Sequence, residues 1–480
     1  MNYELFLAHP EVTTDSRHCP EGSMFFALRG DTFDGNRFAA QALEAGCAVA
    51  VVDDPAVIPE GDTRYVLVPD TLQALQQLAA EHRRHFQGPV IQVTGTNGKT
   101  TTKELLAAVL AMSRRVLYTQ GNLNNHIGVP LTLLRLRPGE HDIAIIETGA
   151  NHPGEIAALT QIVQPDYGLV TNVGRAHLEG FGSFEGVKRT KGELYDYLRQ
   201  KPAPAIFVCQ SNPDLCAMLA ERGIAPDRCI TYTSEQPSSS PASQLSTFNS
   251  QLSTFNFQLS TPPASQLSTL NSQLSTPHPR GGILDANPLL SLWWTPGDDS
   301  RYEVQTNLIG DYNLDNVLAA IAVGLHFGIA PADICEALAT YQPSLGRSEY
   351  RRTAHNELII DAYNANLTSM MAALRNFRGI SHPQKMVILG DMKELGADSA
   401  DAHLRVAAEV IGSDVAVAWF VGENFTRALS QIPAPPDLCI RTFADVEAVK
   451  QHLQTELPQG TLILIKGSNS TRLHQLPALL

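Results

Sequence analysis

No Cys-x-x-Cys pair occurs in this chain of 480 residues. Its seven cysteines (Cys19, Cys47, Cys209, Cys216, Cys229, Cys335 and Cys439) are scattered and odd in number. That argues against a disulfide framework or a thiolate zinc site and fits buried thiols in a reducing compartment. No uninterrupted apolar stretch approaches membrane-spanning length, so no membrane insertion is expected. The opening Met-Asn-Tyr-Glu-Leu-Phe-Leu has no cationic leader, and the expected location is the cytoplasm. Basic residues are in deficit, with 35 lysines and arginines against 49 aspartates and glutamates and a formal net charge of −14. Such a balance argues against nucleic acid or an anionic membrane as partner, while a few local cations and Mg²⁺ still suffice to hold a nucleotide.

Charge is missing altogether between Gln236 and His278, where Ser-Gln-Leu-Ser-Thr starts at Ser243, Ser250, Ser265 and Ser272, with a variant at Phe257. Steps of seven or eight residues would suit a coiled coil or solenoid. Each unit, however, offers one leucine and occasionally one phenylalanine, too little apolar area to offset the entropy of ordering. The segment of about 236–280 is therefore expected to be a disordered, functionally inert low-complexity insert.

What is present is a hydrophobic fraction of 43%, in a chain too long for one core. The expected fold class is α/β in three domains. Residues 1–85 read as a small α/β domain, with strands at 25–28, 48–52 and 65–68 and helices at 38–45 and 72–86. Residues 86–309 alternate strand and helix around apolar runs at 143–146, 167–170 and 205–208, as expected of a mostly parallel central sheet flanked by helices. Residues 310–480 begin with helical spacing at Leu314, Val317, Leu318, Ile321 and Leu325 and continue as a doubly wound α/β domain.

The most informative stretch is Val-Thr-Gly-Thr-Asn-Gly-Lys-Thr-Thr-Thr at 93–102, between a strand pattern at 89–93 and a helix pattern at 104–110. A glycine turn at a helix N-terminus presents backbone N–H groups and the positive helix end to a phosphate. Lys99 can reach the outer phosphates and the Thr100 hydroxyl can coordinate Mg²⁺. Val93 stands where the strict phosphate-loop pattern has glycine, so the loop is a short variant running Gly95, Thr96, Asn97, Gly98, Lys99, Thr100, Thr101. The alternative is a glycine turn that binds nothing.

Glu147 ends the 143–146 run, and a carboxylate at the carboxyl end of a parallel strand points into the ligand crevice of such sheets. His177 follows the next strand and, with Glu147, could complete a magnesium site, although a loop or core histidine is the plain alternative. Lys188, Arg189 and Lys191 fall on a helix predicted to start near residue 184, and spacing does not separate Lys191 from its neighbours. Asp361 to Asn366, Gly390 to Gly396 and Lys466-Gly467-Ser468 each follow a strand and would converge on one sheet edge, though ordinary turn chemistry explains any one of them.

These residues resemble the Mur ligase family, ATP-dependent amide-forming enzymes of peptidoglycan precursor synthesis. The Thr-Gly-Thr-Asn-Gly-Lys-Thr loop is shared across that superfamily, folylpolyglutamate synthases included. Sharper likenesses lie at 14–17, 26–30, 34–35, 121–130, 147–156, 361–366 and 389–396. They resemble the member that joins D-alanyl-D-alanine to UDP-N-acetylmuramoyl-tripeptide, through an acyl phosphate, with ATP and Mg²⁺. The resemblance implies Lys99, His177 and Lys191 as catalytic, with Lys191 commonly a carbamylated magnesium ligand beside Thr100, Glu147 and His177. It implies Asn313 and Asp361 at the nucleotide, Ser16 and Arg17 at the uridine diphosphate, and Asn124 and Asn125 at the muramoyl-peptide end. It also implies a third domain that closes over the other two, and the chain is expected to act as a monomer. Asn36, Thr148 and Leu367 stand where the family often has His, Met and Pro. A ligase adding a single amino acid, or a non-catalytic ATP-binding regulator on the same scaffold, are the alternatives.

Overall fold

The computed structural model describes residues 2–175, 178–203, 205–235, 278–343, 346–433, 435–436 and 438–480. His177 and the whole of the Ser-Gln-Leu-Ser-Thr repeat lie outside the described residues. The chain forms two compact units, 1–206 and 207–480.

In the first unit a four-stranded parallel sheet runs Val12–Thr13, Met24–Phe26, Val49–Val52, Tyr65–Leu67 in space as in sequence. The 15-residue helix Thr71–His85 follows, its start fixed by Asp70 accepting a bond from the Gln73 N–H. Leu75, Leu78 and Ala79 on its buried face join one core with Phe6, Met24, Phe26, Val90, Leu133, Ala144 and Ile146. A second parallel sheet has the order Tyr167–Val170, Val90–Thr94, Ile143–Glu147, Val116–Tyr118. Val90–Thr94 and Ile143–Glu147 are buried at every position, which is why 143–146 reads as an unbroken apolar run. The carboxyl ends of Val90–Thr94 and its two neighbours define the crevice of this unit.

In the second unit Cys229–Glu235 pairs in parallel with Arg280–Ala286. The next two strands, Leu289–Thr295 and Tyr302–Ile309, are antiparallel and joined without a helix. Strand–helix alternation was expected up to residue 308, so this meander is a correction; its signal was the period-two burial of Leu290, Leu292 and Trp294. Pro279 O accepts from Thr233 N (3.0 Å), and Arg280 stands in register with Thr233.

Further on, a six-stranded sheet has the order Glu349–Arg352, Glu357–Asp361, Leu462–Lys466, Lys385–Gly390, Val417–Val421, Cys439–Phe443. All its pairings are parallel except the first. Helices Leu367–Gly379 and Ser399–Ile411 pack on one face through Phe377 and Val406. Val446–Leu453 packs on the other face through Val449. This is the doubly wound α/β arrangement, and the α/β class is as the patterning implies. Among the described residues no helix is long and apolar enough to cross a membrane.

Candidate active site

The loop at 95–101 joins strand Val90–Thr94 to helix Lys99–Ala111, and two residues let the backbone make that turn. Gly98, the residue before the helix, has φ 77°. Gly95 has φ 144°, and a β-carbon there would collide with Thr171 Oγ1. The loop is held from the neighbouring strand end. Asn97 N donates to Asn172 Oδ1 (3.0 Å), Thr96 N to Asn172 O (3.0 Å) and Gly174 N to Thr96 Oγ1 (3.0 Å). Thr171 Oγ1 and Asn172 Nδ2 both donate to Asn97 O. Asn172 thus shapes the loop, a part that sequence reading missed because its partners lie 75 positions away. Lys99 donates to Gly95 O (2.9 Å) and Thr96 O (3.0 Å), so its ammonium stands within the loop itself.

Thr100 Oγ1 donates to Glu147 Oε2 (2.9 Å) and Asn124 Nδ2 to Glu147 Oε1 (2.8 Å). Glu147 is 1% exposed. Both of its carboxylate oxygens thus accept from neutral groups, and among the described residues no cation forms an ion pair with it. A buried anion met only by a hydroxyl and an amide leaves room in its electrostatics for a cation, and this donor set of oxygens suits Mg²⁺. Among the described residues no cluster of three or more His, Cys, Asp and Glu forms.

Lys191, on helix Phe184–Leu198, is buried, its Nζ 5.6 Å from the centre of the Phe181 ring. Burial first, and the Lys99 ammonium second, push its pKa down to about 7, against the pull of Glu155 and Glu193. Burial sets Lys191 apart from the half-buried Lys188 and the exposed Arg189, which spacing could not do. Glu193 itself is committed, accepting from Gly154 N and Ala157 N (both 2.8 Å) at the start of helix Glu155–Val163.

The structure therefore brings Lys99, Thr100, Asn124, Glu147 and Lys191 together in one unit. Asn125 has a different local task, its Oδ1 accepting from Ile127 N and Gly128 N at the start of helix Gly128–Leu133. Ser16 lies on the loop after strand Val12–Thr13. Arg17 beside it is exposed and donates through Nε and Nη2 to Asp15 (both 2.8 Å), which holds the Asp15 carboxyl down to about 2.

In the second unit Asp361 and Lys466 stand in register at the ends of their strands, and Lys466 Nζ donates to Asp361 Oδ2. Asp391, at the end of the next strand, accepts from Asn424 N and Phe425 N (both 3.1 Å). The expected convergence of these strand ends is present. Asn313 is buried, donating to Ile309 O (2.8 Å) and Ser348 Oγ (3.2 Å) and accepting from Asn316 Nδ2 (2.8 Å). Arg347 was not anticipated. Its guanidinium lies 3.7 Å from the centre of the Tyr363 ring, and its buried Nε has no hydrogen-bond partner among the described residues. A lone Gly-Arg in a loop carried no pattern to reveal it.

Three domain models of one family cover this architecture: the Mur ligase family catalytic domain over residues 10–83, the Mur ligase middle domain over 93–324, and the Mur ligase glutamate ligase domain over 346–469. The UDP-N-acetylmuramoyl-tripeptide–D-alanyl-D-alanine ligase of Escherichia coli K12 is 34% identical over 469 residues, covering 97% of this chain and 92% of that one. The chain belongs to the Mur ligase family. The Bacillus subtilis 168 protein of the same name is 31% identical over 99% of this chain and 93% of its own. A crystal structure of MurF from Acinetobacter baumannii superposes with a TM-score of 0.77 at 30% identity, covering 98% of this chain and 92% of that one.

Each of the three departures from usual Mur ligase residues fits its surroundings. Asn36 Nδ2 donates to Asp34 Oδ1 and Asp53 Oδ1 (both 2.8 Å), and its Oδ1 accepts from Asp53 N (3.1 Å). Thr148 Oγ1 accepts from Gln92 Nε2 (3.0 Å) inside the sheet. Leu367 opens a helix whose start is already fixed by a reciprocal capping pair of Asn366 and Ser369, so the ring of a proline is not needed there.

Proposed function

We propose that this Mur ligase joins D-alanyl-D-alanine to UDP-N-acetylmuramoyl-tripeptide at the expense of ATP, in the cytoplasm, as a step of peptidoglycan precursor synthesis. Full-length likeness to relatives of that name supports the substrates. The observation that carries the chemistry is the buried Thr100–Glu147–Asn124 cluster beside the Lys99 loop. The proposal divides the chain into a UDP-substrate domain at 1–85, an ATP-binding domain at 86–309 and a ligase domain at 310–480, acting as a monomer.

A carboxylate in water does not condense with an amine unaided, because an oxide ion is a poor leaving group. The peptide's terminal carboxylate attacks the γ-phosphorus of ATP, forming a C–O–P bond and releasing ADP. The neutral amine of the dipeptide then attacks the acyl carbon, loses a proton, and phosphate departs. The N–H groups of residues 95–101 receive the phosphates, and Lys99 turns from the loop carbonyls to the transferring group, where charge develops. Asn313 and Asp361 meet the nucleotide, Ser16 and Arg17 the uridine diphosphate, and Asn124 and Asn125 the muramoyl-peptide end. Thr100, Glu147, His177 and carbamylated Lys191 would hold Mg²⁺, which when bound neutralises phosphate charge. A depressed Lys191 pKa favours the neutral amine that combines with carbon dioxide.

The test is coupled ADP release with UDP-linked tripeptides ending in lysine or diaminopimelate, with the dipeptide, single amino acids or neither. Dipeptide-dependent release is expected. Equal turnover with a single amino acid, or nucleotide binding with no phosphate release to any amine, defeats the proposal.

A further inference from the structure

Lys103 is the most deeply enclosed charged side chain near the loop, with 0% of its surface exposed. It stands on helix Lys99–Ala111 three residues beyond Thr100, so the two side chains leave neighbouring points of one helix face. Its Nζ donates to Thr119 O (2.7 Å), lies 3.5 Å from Glu104 Oε1 and 5.5 Å from the centre of the Tyr118 ring. Thr119 directly follows strand Val116–Tyr118, and its Oγ1 accepts from Glu147 N (3.0 Å). Glu147 in turn accepts from Thr100 Oγ1, back on the starting helix.

These bonds close a ring through three elements: helix to the end of strand Val116–Tyr118 by Lys103, that end to the end of strand Ile143–Glu147 by Thr119, and back by Thr100. A branch leaves it, because Asn124, five residues after Thr119, donates to Glu147 Oε1 and accepts through its own backbone O from Gly149 N (2.8 Å). An apolar side chain would fill the same space without the penalty of desolvating an ammonium. What only the ammonium does is tie the carbonyl of Thr119 to the phosphate-loop helix.

We propose that Lys103 is a positioning residue. It fixes the segment 119–125 in register with Thr100 and Glu147, so that the carboxylate delivered by that segment lies in line with the phosphoryl group. The proposal rests on the assignment of that segment to the peptide end of the UDP-linked substrate.

The test uses the full-length enzyme, Lys103→Met, Thr119→Val and the double variant, with kcat, KM for ATP and for the UDP-linked tripeptide, and ADP affinity by calorimetry. Each single variant should lose on the order of 10- to 100-fold in kcat and raise KM for the tripeptide, since small misplacements are expensive in an aligned reaction. ADP affinity should stay within about threefold, and the double variant should be no worse than the poorer single one, the ring being already open. A kcat within about twofold of the parent in either folded variant overturns the proposal. So does a loss of ADP affinity that matches the loss of kcat, or losses that multiply in the double variant. Thr119→Val decides alone if Lys103→Met does not fold, and failure of both to fold makes Lys103 structural and sinks the idea. A parent enzyme that releases no phosphate with the dipeptide strikes the ligase assignment instead.

Discussion

Lys99 and Lys191 are two lysines in one electrostatic field that must end in different states. Lys99 has two loop carbonyls to hold its ammonium until phosphates compete for it. Removing it takes away the charge meant for the transferring phosphoryl group, so Lys99→Ala should cut kcat by at least about 10²–10³-fold, with thermal unfolding little changed. Near-normal turnover would refute the site. Lys191 has burial and Lys99 against it, so its amine is mostly neutral above about pH 7. For bicarbonate-stripped enzyme at fixed dissolved carbon dioxide, the rate of regaining activity should rise with pH through about 7, and Lys191→Ala should respond to short carboxylic acids. A flat pH dependence counts against carbamylation. The same depression means that, while Lys191 remains uncarbamylated, stability falls as pH drops from the ordinary lysine range towards 7. There the unfolded chain takes up a proton that the folded one refuses. At this scale the meeting of Thr100 with Glu147 was legible, because the loop pattern is local and a carboxylate at the end of a parallel strand faces the crevice. Asn172 and Arg347 were not, because each acquires its surroundings only through folding.

Between strands Cys229–Glu235 and Arg280–Ala286 the connection is far longer than the geometry requires. The two are parallel and in register from Thr233 with Arg280 to Glu235 with Gly282, so the chain must only cross back over a short stretch. A parallel pair needs a crossover of about a dozen residues. Replacing 236–277 by a Gly/Ser linker of about 12 residues should therefore leave the fold and kcat unchanged. A folded replacement with a large loss of turnover would show the repeat to be functional. Elements proved readable where one period dominated, as in the doubly buried strands Val90–Thr94 and Ile143–Glu147. The meander after residue 280 escaped because Gly281, Gly282 and Pro288 interrupt an alternation that burial of Leu290, Leu292 and Trp294 makes plain.

The largest-scale question is how the first 85 residues relate to the nucleotide loop, because sequence patterning alone makes them look self-contained. Their apolar faces are not. Phe6, Met24 and Phe26 share a core with Ala144 and Ile146, and helix Thr71–His85 carries the joint. His82 is hydrogen-bonded to Tyr3 Oη and to Leu136 O (both 2.8 Å). Arg83 donates to Val163 O (3.2 Å), Phe86 O (3.0 Å) and Gln164 O (3.1 Å), and pairs with Asp166 at 2.6 Å. A hinge near residue 86 would have to break these buried bonds. We therefore expect Thr71–His85 and Val90–Thr94 to open as one cooperative unit in hydrogen exchange. Arg83→Met removes the guanidinium but leaves the carbonyls buried, and Asp166 keeps the Val90 N–H (2.9 Å) and the partly exposed Lys201 at 3.9 Å. The loss should be about 2–4 kcal/mol, and it should fall on the protection of both segments together. Protection lost in Thr71–His85 alone, with Val90–Thr94 untouched, would mean that the small N-terminal sheet moves independently of the phosphate loop.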